Sequence, residues 1–173
     1  RQIEPPAEDG GENDGWCVDR DAALYAALDE KQHGAEDARF FVEAMAEVAR
    51  QLPEARLIIV GEDDPRADPG SGSFRAQLET RARELGITRN VLFTGFRTDV
   101  PRLMAALDVF AHPSWEEPFG MVFLEANAMR KPVVCWASGG APEVVVNGET
   151  GLLVERGSVS GLAAALMTLL SDR

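Results

Sequence analysis

The sequence is poor in the residues that carry most redox, metal and nucleophilic chemistry. Cysteine occurs only as Cys17 and Cys135, far apart in a chain of 173 residues. A disulfide framework is therefore not expected and a reducing compartment fits, with Cys135, inside the apolar run Pro132-Val133-Val134-Cys135-Trp136, read as a buried thiol. Histidine is as scarce. Neither His33 nor His112 has a Ser, Cys or metal-ligand partner at useful spacing, so no catalytic triad is expected and His112 reads as a packing residue. Cys-x-x-Cys, His-Glu-x-x-His and Gly-x-x-x-x-Gly-Lys-Thr are all missing, which removes support for a metal site or a P-loop. No apolar stretch approaches the roughly 18 to 20 residues that span a bilayer, and the N-terminus lacks a signal-peptide pattern, so a soluble, cytoplasmic protein without a transmembrane segment is expected. Basic charge is also short. Lys plus Arg number 17 against 29 Asp plus Glu, a net charge of −12, which repels a phosphate backbone and argues against a nucleic-acid partner. Any phosphate site must be local.

What is present is the material of a core: 45% of the residues are hydrophobic, and the length suits one domain. Residues 1–21 hold seven of the acids, with Gly and Pro and no aliphatic periodicity, and read as an acidic linker or flexible arm. Residues 22–173 form the expected domain. Phe41, Met45, Val48 and Leu52 mark an amphipathic helix from about Ala35 to Leu52, which Pro53 ends. The aliphatic run Leu57-Ile58-Ile59-Val60, closed by Gly61, reads as a strand covered on both faces. Helices are then expected at Phe74 to Leu85, Val100 to Ala106, Phe119 to Met129 and Val159 to Leu170, with a helical turn at Pro142 to Val146. They alternate with strands at Val91 to Thr94, Val109 to His112, Pro132 to Trp136 and Gly151 to Val154. Ala22 to Leu28 has helical propensity but stands where the pattern asks for a strand, and a strand is expected there. Strict alternation of this kind indicates an α/β fold, a Rossmann-like open parallel sheet flanked by helices, with its ligand site beyond the C-terminal strand ends. The acidic stretch from Glu62 to Ser73 reads as a surface loop, solvated rather than metal-binding.

The densest chemistry lies in His112-Pro113-Ser114-Trp115-Glu116-Glu117-Pro118-Phe119-Gly120-Met121, which leaves a strand end and runs into a helix carrying Glu125. A helix N-terminus offers unpaired N–H groups and the positive end of the dipole, which suits a diphosphate. Gly120 lets a ligand approach bare backbone. Ionised carboxylates accept only, and each can take two hydroxyl hydrogens, as vicinal sugar hydroxyls offer. The spacing of eight between Glu117 and Glu125 is weak by itself, since Glu4/Glu12 and Glu54/Glu62 share it, and acids early in a helix are ordinary dipole partners.

The blocks around that pair, from Ala55-Arg56-Leu57-Ile58-Ile59-Val60-Gly61 through Val91-Leu92-Phe93-Thr94-Gly95-Phe96, Lys131-Pro132-Val133-Val134, Gly139-Gly140-Ala141-Pro142-Glu143 and Gly148-Glu149-Thr150-Gly151-Leu152-Leu153-Val154, resemble in residue and order the C-terminal, donor-binding domain of the family-four (group 1) retaining glycosyltransferases of GT-B fold. The resemblance runs from about Ala35 to Leu170. It implies a nucleoside-diphosphate sugar as donor substrate, no cofactor, and transfer of a hexose to an acceptor hydroxyl. It assigns Glu117 to the sugar hydroxyls as the catalytic carboxylate, Glu125 to the ribose, and the backbone N–H groups of Phe119, Gly120 and Met121 to sugar and diphosphate. Gly61, Gly139 and Gly140 are implied as close-approach positions, and Arg97, after Phe96, as a base contact. A Gly-Arg pair with a following Lys belongs after the first strand of such domains; here Ala26-Ala27 stand in its place and Lys31 is the nearby cation. The resemblance further implies an N-terminal, acceptor-binding domain missing from this chain, through which contact with the inner face of a membrane would be made. The chain begins with Arg1 and reads as part of something longer, inactive alone. The other reading is a degenerate, non-catalytic glycosyltransferase-like module with a scaffolding or regulatory role, for which Ala26-Ala27 speaks.

Overall fold

A computed structural model describes residues 23–27, 35–61, 73–115 and 117–171. Residues 1–21, read from the sequence as an acidic arm, Lys31, and residues 62–72, most of the stretch read as a surface loop, lie outside them. Strand β1 (Ala23–Ala27) is followed by helix α1 (Ala35–Gln51), β2 (Arg56–Val60), α2 (Phe74–Glu84), a short 3-10 turn at Thr88–Asn90, β3 (Val91–Phe93), α3 (Val100–Ala106) and β4 (Val109–His112). Then come α4 (Met121–Ala128), β5 (Val133–Trp136), α5 (Ala141–Val144), β6 (Gly151–Val154) and α6 (Val159–Ser171). All strand pairs are parallel, in the order β3-β2-β1-β4-β5-β6. Because the chain winds outward from β1 to β3 and then returns to lay β4 against the other side of β1, the order reverses between these two strands. At such a switch point the loops leaving neighbouring strand ends diverge and open a crevice.

Strand side chains alternate between two cores. Leu57, Ile59, Val109, Ala111, Val134 and Trp136 face α1, α2 and α6, where Phe41, Met45, Leu78, Leu162 and Leu166 close over them. Ile58, Val60, Phe110, Val133 and Cys135 face α3, α4 and α5 and meet Leu103, Met104, Phe123 and Ala141. Burial pushes the Cys135 thiol up to about 12. At the edge of the first core, Arg81 reaches across from α2 to the Glu43 carboxylate of α1 at 2.9 Å. Burial alone would raise the Glu43 carboxyl, but hydrogen bonds from Arg39 and Arg81 outweigh it and hold the group below its ordinary value.

Segment 23–27 is a strand despite its alanines, seated centrally between β2 and β4. Several expected boundaries shift by a residue or two. Helix α1 stops one residue short of Leu52, whose N–H still reaches Val48 O at 2.8 Å. Strand β5 starts at Val133 because Pro132 has no N–H to give a ladder. The larger correction is at α4, which begins at Met121 rather than Phe119: Gly120 takes a left-handed backbone, φ 83°, that ends any helical path before it.

Candidate functional site

Strand β4 delivers His112 to the C-terminal edge of the sheet beside the end of β1, and the following loop carries Glu117 back over that edge. Glu117 is held from three sides. Its carbonyl accepts the Gly140 N–H at 2.8 Å, tying it to the turn after β5. One carboxylate oxygen, Oε1, accepts the Gly120 N–H at 2.9 Å. The other, Oε2, lies 3.3 Å from Nε2 of His112, with both side chains largely buried.

The two glycines after β5 explain how the loop comes so close. Gly139 has φ 54°, and a Cβ there would stand 2.4 Å from the Glu117 carbonyl oxygen; at Gly140 it would stand 2.9 Å from that of Pro118. Their smallness admits the backbone of the Glu117 loop. Gly120 meets a similar demand: a Cβ on it would meet the Phe123 ring at 2.6 Å.

The N-terminus of α4 is therefore built two residues later than the periodicity suggested, with a changed donor set. The Gly120 N–H is committed to Glu117, whereas among the described residues no hydrogen bond reaches the N–H groups of Phe119, Met121 or Val122. Phe119 and Met121 are 61% and 56% exposed, large apolar groups left uncovered beside those donors. Glu125, one turn after Met121, is exposed on the same side of the helix.

Other expected contributors sit farther round the edge. Gly61, at the end of β2 with φ 135°, gives its N–H to Gly95 O at 3.0 Å and so bridges the ends of β2 and β3. Arg97 forms a two-pronged pair with Asp99, both contacts 2.7 Å, rather than standing solvated; its hydrogen bonds keep the Asp99 carboxyl below its ordinary value. Phe96 beside it is exposed. Ala26 and Ala27 lie at the C-terminal end of β1, facing the switch point in register with Ile59 and Val60. Lys31 lies outside the described residues. Among the described residues no three His, Cys, Asp or Glu side chains gather as a metal-binding group.

Sequence reasoning missed two features. Trp115 stacks nearly parallel to the Phe40 ring of α1 with centroids 6.4 Å apart and takes the Arg156 guanidinium 3.5 Å from its own ring centroid, which fastens the site loop to the other core. The pairing of His112 with Glu117 was equally hidden, since nothing local foretells that the loop turns back on its own strand.

An open parallel sheet of this order, with a helix start and a fixed carboxylate beside its switch point, is a Rossmann-like α/β domain. The sequence profile of the family described as "Glycosyl transferases group 1" matches residues 12–172. The chain belongs to that family. It is 36% identical over 140 residues to the GDP-mannose-dependent alpha-(1-6)-phosphatidylinositol monomannoside mannosyltransferase of Mycolicibacterium smegmatis, covering 76% of this chain and 34% of the relative. Among solved structures, Anabaena HepE in complex with UDP-glucose superposes with a TM-score of 0.74 at 33% identity, over 88% of this chain and 40% of that one. The C-terminal domain of the group 1 glycosyl transferase LpcC from Francisella tularensis does so at 0.74 and 28%, over 87% and 76%. The chain thus spans about a third of the length of the curated relatives it matches, and its fold is that of the C-terminal half of a GT-B glycosyltransferase. No helix among the described residues is long and apolar enough to cross a membrane.

Proposed function

We propose that the chain is the donor-binding half of a retaining glycosyltransferase that moves a hexose from a nucleoside diphosphate to an acceptor hydroxyl. One observation carries this reading: the unpaired N–H groups of Phe119, Met121 and Val122 at the start of α4 lie beside a fixed carboxylate, Glu117, with a second, Glu125, on the exposed side of the helix. The diphosphate sits at the helix start, where the N–H groups and the dipole offset the charge that develops as it departs. Glu117 orients the sugar and Glu125 takes the two ribose hydroxyls; Gly61, Arg97 and Phe96 border the base. Lys31, and not an Arg at position 27, supplies the cation near the phosphates. Much of the rate enhancement in such a site is positioning, so the acceptor must be presented by a second domain of the longer protein.

The names of the relatives support a nucleoside-diphosphate sugar as the ligand class, with uridine and guanosine both represented. Calorimetric titration of the chain with UDP, GDP and ADP and with their hexose conjugates tests the reading. The expected result is saturable binding of one nucleoside diphosphate together with its sugar. Absence of binding across the panel would instead favour the non-catalytic module, for which Ala26-Ala27 at the end of β1 is the specific observation.

A further inference from the structure

We propose that His112 is a positioning residue for Glu117, a role that rests on the reading of Glu117 as the sugar-facing carboxylate. The imidazole has little freedom. It stacks at 16° on Phe110, two residues back on the same strand, with centroids 6.1 Å apart, and meets the Phe123 ring of α4 edge-on at 5.8 Å. Its side chain is 8% exposed, so neither packing contact is easily given up. Held this way, the ring presents Nε2 to Glu117 Oε2 at 3.3 Å while Oε1 takes the Gly120 N–H.

The two contacts divide the carboxylate between strand and helix. With one oxygen on each, the two contacts together orient the carboxyl plane. A separation of 3.3 Å is slightly beyond the usual span for a nitrogen donor, and such contacts shorten when a ligand completes the site. The proton belongs on Nε2 in this arrangement, since an ionised carboxylate can only accept. Phe123 links the parts: it packs on the imidazole and also fills the space that a side chain at residue 120 would need.

The test compares His112→Phe, which keeps a ring and removes the donor, with His112→Gln, whose amide nitrogen falls near the place of Nε2. Each is made alone and with Glu117→Gln. Two readouts are taken on the full chain: the amide resonance of Gly120 without ligand, and dissociation constants for UDP against UDP-glucose and GDP against GDP-mannose. His112→Phe is expected to move the Gly120 amide and to weaken the sugar nucleotide about tenfold while leaving the bare diphosphate within twofold. His112→Gln should recover most of both, and His112→Phe should add nothing once Glu117→Gln is present.

Equal weakening of diphosphate and sugar nucleotide, or a loss that persists beside Glu117→Gln, would reduce His112 to packing and overturn the proposal. If Glu117→Gln itself leaves every affinity unchanged, or no probe binds, the functional reading of Glu117 falls. The Gly120 amide then decides for His112: a shift with Phe that Gln reverses supports the coupling, and an unmoved resonance overturns it. Should His112→Phe fail to fold, His112→Asn, whose amide falls short of Glu117, replaces it with the same expected losses.

Discussion

The two faces of the sheet are unequal. One is covered by helices of 17, 11 and 13 residues, α1, α2 and α6. The other is covered by helices of 7, 8 and 4 residues, α3, α4 and α5. The first face buries the larger cluster and carries Phe41, Met45 and Val48 with almost no exposure. The second buries a smaller one and leaves Phe119, Met121 and Leu124 uncovered. The larger core and the candidate site are thus separated: long helices cover one side of the sheet, and short ones on the other expose their N-termini and loops at the switch point. Trp115 crosses between the two, anchoring the site loop to Phe40 and Arg156.

The largest effect that would sharpen this comparison comes from the thick face. Truncating Phe41, 1% exposed, to Ala should cost about 3–5 kcal/mol of unfolding free energy in denaturant titration, with donor affinity of the folded fraction unchanged. Gly139→Ala should act the other way round. It forces a side chain into a left-handed backbone against the Glu117 carbonyl, so a loss of about 1–3 kcal/mol is expected together with weaker binding of the sugar nucleotide. An unchanged affinity would break the link between that turn and the site.

Smaller again, Glu125→Ala should leave stability within about 0.5 kcal/mol, because the side chain is exposed. It should weaken diphosphate and sugar nucleotide by a similar factor, about 1.5–3 kcal/mol by titration, as both carry the ribose. Acid should loosen a contact on each face, Glu43 on the thick one and Asp99, before α3, on the thin one. Hydrogen bonds hold the Glu43 carboxyl below its reference 4.5 and that of Asp99 below 3.8, so their contributions are complete above those values and fade as pH falls through the lowered ones. Glu43→Gln should flatten that part of the acid limb of a pH–stability curve. At the alkaline end the Cys135 thiol, 9.0 unfolded and about 12 folded, should make the chain less stable as pH rises from 9 towards 12 and should resist alkylation while native.

The sheet was legible because its strands are covered on both faces: Leu57 to Val60 and Val109 to His112 are continuous apolar runs that need no tertiary knowledge. Segment 23–27 was nearly hidden, since alanine prefers helix and only its place in the alternation spoke for a strand. The start of α4 was misjudged because apolar spacing continues smoothly through Phe119, and the stop is a backbone angle at Gly120. At the site, Glu117, Gly120 and Glu125 could be singled out from their neighbours in the chain. What Glu117 touches beyond Gly120 could not: His112 comes from β4 and Gly140 from a turn after β5. Contacts of that kind are made by topology, which periodicity does not encode.

The central claim is that the thin face seats the diphosphate at the start of α4. It is tested most directly by following backbone amide resonances of the chain during titration with UDP and GDP. The account predicts that Phe119, Met121 and Val122 shift most, with residues of α1, α2 and α6 nearly still. Dominant shifts at the groove between α1 and α2, where Arg39 and Arg81 line a cavity of about 300 Å³, would contradict it.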